Sequence, residues 1–196
     1  MSWQMFFWVT LGMGLFWPHP LGAQNSVHIS YRFYTIAPQK IQDLPIELDR
    51  RSPIVYQGRK YHGYTQWWVS WQFYWYENPT SCQIAQVKTT LKVVYTLPKL
   101  LEKSTTNVPL KKVFDRYCQA LFNHEQNHKN HGLEASRAIK AQLENLRSFP
   151  TCQDLNHQAN ALAQSLIRAY RQKDLDYDRR TEHGRQEGAV IHLYVP

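Results

Sequence analysis

His124-Glu125-Gln126-Asn127-His128 has the residue types and the spacing of a zinc hydrolase motif. Residues i and i+4 project from one face of a helix, so His124 and His128 can hold one Zn2+ between two imidazoles. Glu125, one residue on from the first ligand, can take a proton from an activated water and return it to a leaving amine. The motif therefore predicts His124 and His128 as metal ligands, Glu125 as a catalytic general base, and Zn2+ as the cofactor. A catalytic zinc also needs a third protein ligand and an open position. His131 lies about 10 Å along the helix axis from His124, and Glu134 about 15 Å, so a straight helix brings neither to the ion. The stretch Asp176-Tyr177-Asp178-Arg179-Arg180-Thr181-Glu182-His183-Gly184 is dense in liganding groups. His183 is the expected third ligand, with Glu182 and Asp178 as carboxylate alternatives, and Gly184 and Gly188 allow a close backbone path. Tyr177 is expected to donate to the oxyanion of a tetrahedral intermediate, and Asp178 to orient a ligand histidine. His28, His62, His157 and His192 read as surface or strand histidines.

A helix must carry the motif, and the pattern supplies one. Asn107 is a candidate N-cap with Pro109 in the first turn. From there Leu110, Val113, Phe114, Tyr117, Leu121, Ala135, Ile139, Leu143 and Leu146 recur at three- and four-residue steps. The stripe runs through His124 and His128, so both imidazoles should face the core; Gly132 is a candidate bend, and Pro150 stops the helix. Leu155, Ala159, Leu162, Leu166 and Tyr170 predict a second helix. From Asp174 onward the helical period is lost. Before the helices the period is two. Val27, Ile29, Tyr31 and Phe33 predict a half-buried strand, and 41–51 a short helix or turn. Tyr64–Tyr76 and Cys82–Leu97 predict an antiparallel hairpin turning at Asn78-Pro79-Thr80-Ser81, with Pro98 ending it. Trp67, Trp71 and Trp75 share one parity. They pack on the helices or, alternatively, form a face for glycan or peptide. The predicted class is α+β: a small antiparallel, aromatic-rich sheet packed against two helices.

The chain has 196 residues, 43% hydrophobic and 19% charged, which fits one domain with a packed core and excludes wholesale disorder. The formal charge of +8 suits acidic partners, anionic surfaces or simple solubility. No recognisable reader motif points to nucleic acid. Residues 1–23 carry no Asp, Glu, Lys or Arg, and Met5–Trp17 is apolar but short for a membrane span. Leu21-Gly22-Ala23 offers a small-residue cleavage site, so 1–23 reads as a signal peptide and 24–196 as a single secreted or periplasmic domain. The uncharged start departs from the usual pattern and leaves a retained short anchor open. In an oxidising compartment two of the three cysteines pair; Cys82 with Cys152 would tie the hairpin end to the last helix, leaving Cys118 on a helix face.

These residues also carry a resemblance. Thr65-Gln66-Trp67, Trp71, Cys82, Tyr95-Thr96-Leu97-Pro98, His124–His128, Cys152, and Tyr177-Asp178 followed by Thr181 and His183-Gly184 together resemble DUF922. That is a bacterial family of predicted secreted zinc-dependent proteases, long classed as a domain of unknown function and placed near the zincin metallopeptidases. The resemblance spans roughly 30–190, and the Tyr-Asp-x-x-Thr-x-His-Gly pattern is its most specific part; the uncharged start and Cys118 depart from it. It implies a zincin-like fold and a secreted zinc metallopeptidase, more than it implies any substrate. A peptide or protein substrate is expected, adding as a strand at the sheet edge, with no nucleic acid and no stable membrane insertion once the signal is removed. The alternative is an exported peptide- or glycan-binding module in which zinc is structural.

Overall fold

The computed structural model describes residues 26–196, so the expected signal segment lies outside the described residues. In chain order the elements are β1 (Ser26–Ile36), α1 (Leu44–Arg51), β2 (Ile54–Tyr56), β3 (Arg59–Tyr61), β4 (Tyr64–Asn78), β5 (Ser81–Leu100), α2 (Val108–Glu144) and α3 (Cys152–Thr181). The fold is α+β. Among the described residues no helix is long and apolar enough to cross a membrane.

The β4–β5 hairpin turns where Asn78 Oδ1 accepts from the Thr80 and Ser81 amides at 3.0 and 2.9 Å. Strand order is β1-β5-β4, with β1 parallel to β5, so the sheet is mixed and not antiparallel throughout. The reason is the path of the chain. Residues 37–63 reverse it once and the hairpin reverses it again, and β5 then inserts between β1 and β4. β5 also runs past Pro98. β4 has already ended at the Tyr64–Thr96 rung, so the proline interrupts no bond to β4. Between α1 and β4 the chain forms the short β2–β3 hairpin, turned by Gln57 and Gly58 in left-handed conformation.

α2 is one continuous helix of 37 residues, capped by the Asn107 side chain, which accepts from the Leu110 amide at 3.1 Å. Gly132 serves contact rather than a bend. A Cβ there would sit 2.8 Å from the Trp67 ring and 3.1 Å from Leu91, so glycine lets the helix lie directly on the sheet. Leu91, Val93 and Tyr95 of β5, with Trp67 of β4, pack under Phe114, Tyr117 and Leu121 of α2. Fully burying such side chains is worth about 1.5–3 kcal/mol each. A second cluster joins Val87 to Ile139, Leu143, Ala159 and Ala163, with Trp71 and Phe73 against it. Trp67 and Trp71 are thus core residues anchored to α3, their indole N–H groups donating to Asp174 and Asn160. At the bulge between Tyr74 and Trp75 the extra residue is Ala85 of β5, so Trp75 stays beside Phe73, ring centroids 6.0 Å apart, but it lies near the hairpin end and is exposed.

α3 continues through Thr181, seven residues beyond the point where the apolar period fades. Asp174, Tyr177, Asp178 and Thr181 keep the three- and four-residue spacing. The stripe is polar because it faces the histidines of α2 instead of an apolar surface.

Cys82 is bonded to Cys152 with a Cα separation of 5.0 Å, and the Cys82 and Phe149 backbones exchange two hydrogen bonds beside it. The α2–α3 turn is therefore pinned to the hairpin. Cys118 is free and half-buried, and burial, with Asp115 adding to it, pushes its thiol up to about 12. The closed loop spans 70 residues of sequence separation. In the chain-entropy model that constraint is worth about 4 kcal/mol. A Cys82→Ser/Cys152→Ser variant should show that loss as a lower urea midpoint, with a higher m-value because the unfolded chain is released to expose more surface. An unchanged midpoint would remove the disulfide from the list of stabilising features.

Candidate metal centre

The two helices that build the site run antiparallel, joined by the short turn at 145–151, so residues late in α3 face residues midway along α2. His124, Glu125 and His128 are 4%, 4% and 7% exposed. His124 Nε2 lies 3.3 Å and His128 Nε2 3.1 Å from one atom, Oδ1 of Asp178. These three residues form a group whose ligand atoms lie within 4.8 Å of one another and could hold a metal ion.

Each imidazole has a carboxylate behind it. His124 Nδ1 lies 2.8 Å from Glu187 Oε2, and His128 Nδ1 lies 3.1 Å from Asp174 Oδ1. A carboxylate acceptor requires the ring nitrogen to carry the proton, which leaves both Nε2 atoms aimed at Asp178. Asp174 also binds His131 Nδ1 at 2.6 Å and receives the Trp67 indole N–H. His128, His131 and Asp174 make a second group that could hold a metal. The two groups share the single ring of His128.

The charges are consistent with this network. Burial opposes protonation of His128, but the carboxylates of Asp174 and Asp178 outweigh it and push the ring up to about 10. The same balance raises His124, through Asp178 and Glu187. Burial would raise Asp178, yet His124 and His128 hold its carboxyl well below the usual range. Glu125 is pushed up by burial, against the opposing effects of His128, of the Thr65 hydroxyl and of His124. Thr65 donates to Glu125 Oε2 at 2.6 Å, and a Cβ at Gly63 would lie 2.7 Å from Oε1, so glycine there leaves that oxygen its space.

Two expected placements differ in the structure. The atom joining the two imidazoles belongs to Asp178, whereas His183 stands outside the group, 38% exposed, with Nδ1 3.7 Å from Asp178 Oδ2 and its ring against Tyr61. The cause is the longer α3. Asp178 points from a helix face straight at α2, while His183 lies in the left-handed turn of Glu182, His183 and Gly184 that follows the helix end. The Tyr177 hydroxyl is likewise not free to meet an oxyanion. It donates to Glu187 at 2.7 Å and accepts from Asn127 Nδ2 at 2.7 Å, and its ring stacks on His124 at 5.0 Å. Gly184, at φ +83°, also lets the chain pass the ring, since a Cβ there would be 2.9 Å from His124 Cγ.

Sequence reading missed Asp174 and Glu187. Asp174 had a signal, because it precedes Asp178 by four residues as His124 precedes His128. Glu187 had none, being delivered by the turn after α3. His131 stays off the His124 group, as the axial distance required, and Glu134 pairs with Lys173 at the surface. Of the other histidines, His62 binds Tyr117 and Asp49.

A family model described as a bacterial protein of unknown function, DUF922, matches residues 31–184. No curated protein and no solved structure matches the chain.

Proposed function

Because the chain belongs to the DUF922 family, bacterial proteins of unknown function, its activity has to be read from its site, and we propose a zinc-dependent hydrolase acting on peptides. The carrying observation is the convergence of His124 Nε2, His128 Nε2 and Asp178 Oδ1 beside the buried Glu125. Two imidazole nitrogens and one carboxylate oxygen suit Zn2+ and leave coordination positions for water and substrate. The same donor set also suits ferrous iron. Glu125, a buried carboxylate next to the first ligand, favours hydrolysis.

Zinc held by these residues would supply Lewis-acid polarisation of a carbonyl and lower the pKa of water at the site. Glu125 accepts the proton of the attacking water, and burial, by raising its carboxyl, brings it nearer the affinity a general base needs. The Thr65 hydroxyl fixes one of its oxygens. Glu187 and Asp174 hold His124 and His128 in one tautomer and orientation, with Tyr177 packed against both rings. The second group is in this reading the hydrogen-bonded support of the first. β4 is an edge strand that begins beside Glu125, which suits a substrate lying extended along it. Secretion of the folded chain fits its disulfide.

Purified protein reloaded with zinc should cleave an unfolded protein substrate and lose that activity to a chelator; a zinc-loaded chain inert on a broad panel of peptides counts against the proposal. Asp174→Asn should weaken metal binding by about 10–100-fold, the usual effect of losing a carboxylate behind a ligand imidazole. Competition with a chromogenic chelator measures it, and an unchanged affinity would deny Asp174 that role.

A further inference from the structure

The rungs of the ladder decide what the sheet shows on the side away from α2. Directly paired residues share a face. The row His28–Lys92–Trp68 crosses all three strands on the outer side, in alternation with the row whose Val93 and Trp67 pack in the core under α2. Arg32 lies farther along β1 on the same side, and Lys88 and Tyr74 farther along the hairpin. Arg32, Lys88 and Lys92 are exposed, as are the rings of Trp68 and Tyr74.

The charge is one-sided. Across β1, β4 and β5 the only acidic residue is Glu77, at the hairpin tip beyond the bulge. Lys92 Nζ lies 5.9 Å from the Trp68 ring centroid and Lys88 Nζ 5.4 Å from that of Tyr74. The face thus repeats a unit, one ammonium beside one exposed ring, with the two lysines four residues or about 13 Å apart along β5. Ser70 and Gln72, between the rings on β4, add hydroxyl and amide groups.

From these features we infer that the outer face of the sheet binds an anionic polysaccharide bearing carboxylates. Exposed rings receive the apolar faces of sugars, lysine and arginine receive the carboxylates, and serine and glutamine meet the hydroxyls. An anionic partner is called for because the sheet offers cations without counter-charges. A nucleic acid would use the same rings and cations but has less need of the hydroxyl and amide groups, and the Cys82–Cys152 bond belongs to an oxidising compartment where surface glycans are at hand. The surface lies on the side of the sheet opposite the metal centre and does not depend on the hydrolase reading.

Affinity electrophoresis of the full chain in gels containing polygalacturonate tests this, with methyl-esterified polygalacturonate, dextran and oligo-dT as comparisons. Polygalacturonate should retard the protein strongly, and the esterified polymer and dextran much less. Lys88→Gln/Lys92→Gln should weaken retardation by about tenfold, and Trp68→Ala by about fivefold or more, with unchanged circular dichroism. Lys103→Gln/Lys112→Gln removes two exposed charges elsewhere and should change it by less than about twofold. Equal weakening by the two double variants, no weakening by Lys88→Gln/Lys92→Gln, or tighter binding of oligo-dT would each overturn the inference. If Trp68→Ala misfolds, the lysine pair decides alone.

Discussion

Asp178→Ala should abolish stoichiometric metal binding while His183→Gly leaves it in place. Asp178 Oδ1 is the atom on which both Nε2 atoms converge, and His183 reaches no closer than the other oxygen of that carboxylate, at 3.7 Å. Removing Asp178 leaves two imidazoles, which hold zinc poorly. The expected loss of affinity exceeds the 10–100-fold, roughly, that follows removal of a supporting carboxylate. Glycine is the informative replacement at 183, where φ is +54°, because it removes the imidazole and accepts the left-handed backbone. Metal analysis after gel filtration, with chelator competition for affinity, reads both variants. Retention by Asp178→Ala together with loss by His183→Gly would restore His183 as third ligand. Retention by both, and by His124→Ala, would remove the site altogether.

Glu125→Gln should keep the metal and lose hydrolysis by about 10²–10⁴-fold or more, the usual consequence of deleting a general base. The amide has nearly the shape of the carboxylate and can still accept from Thr65, so packing between α2 and β4 is preserved. It cannot take a proton from water. The loss should fall on kcat, with KM little changed, since Glu125 is buried under the start of β4 and binds no part of a substrate in this reading. Equal turnover by the variant and the parent protein, at matched zinc content, would falsify the base assignment. A variant that loses its metal as well would show that Glu125 is needed for the site to form.

Short-range chemistry along the chain determined much of this protein. The i, i+4 spacing of His124 and His128 places them on one face of any helix, and the apolar stripe of α2 turns that face inward. Asn107 caps that helix because its side chain reaches an amide three residues on, within the same few residues. The Cys82–Cys152 pairing was legible because the hairpin and the second helix were legible. Each of these depends on neighbours close in the chain, or on two elements already recognised.

Contacts between distant segments decided the rest. β1 runs parallel to β5 because of the route taken by residues 37–63, which no residue of β1 encodes. Trp67 and Trp71 became core, and Trp68 and Tyr74 an outer face, because the helices covered one side of the sheet. The end of α3 was invisible to apolar periodicity because its inner stripe is aspartate and tyrosine packed against histidine. A polar stripe is stable inside only when its partner is polar, and that partner lies about fifty residues away. Asp178 took the position expected of His183, and Glu187 arrived behind His124, for the same reason: a metal-ligand geometry is a set of distances between helices, and sequence spacing measures distance only within one.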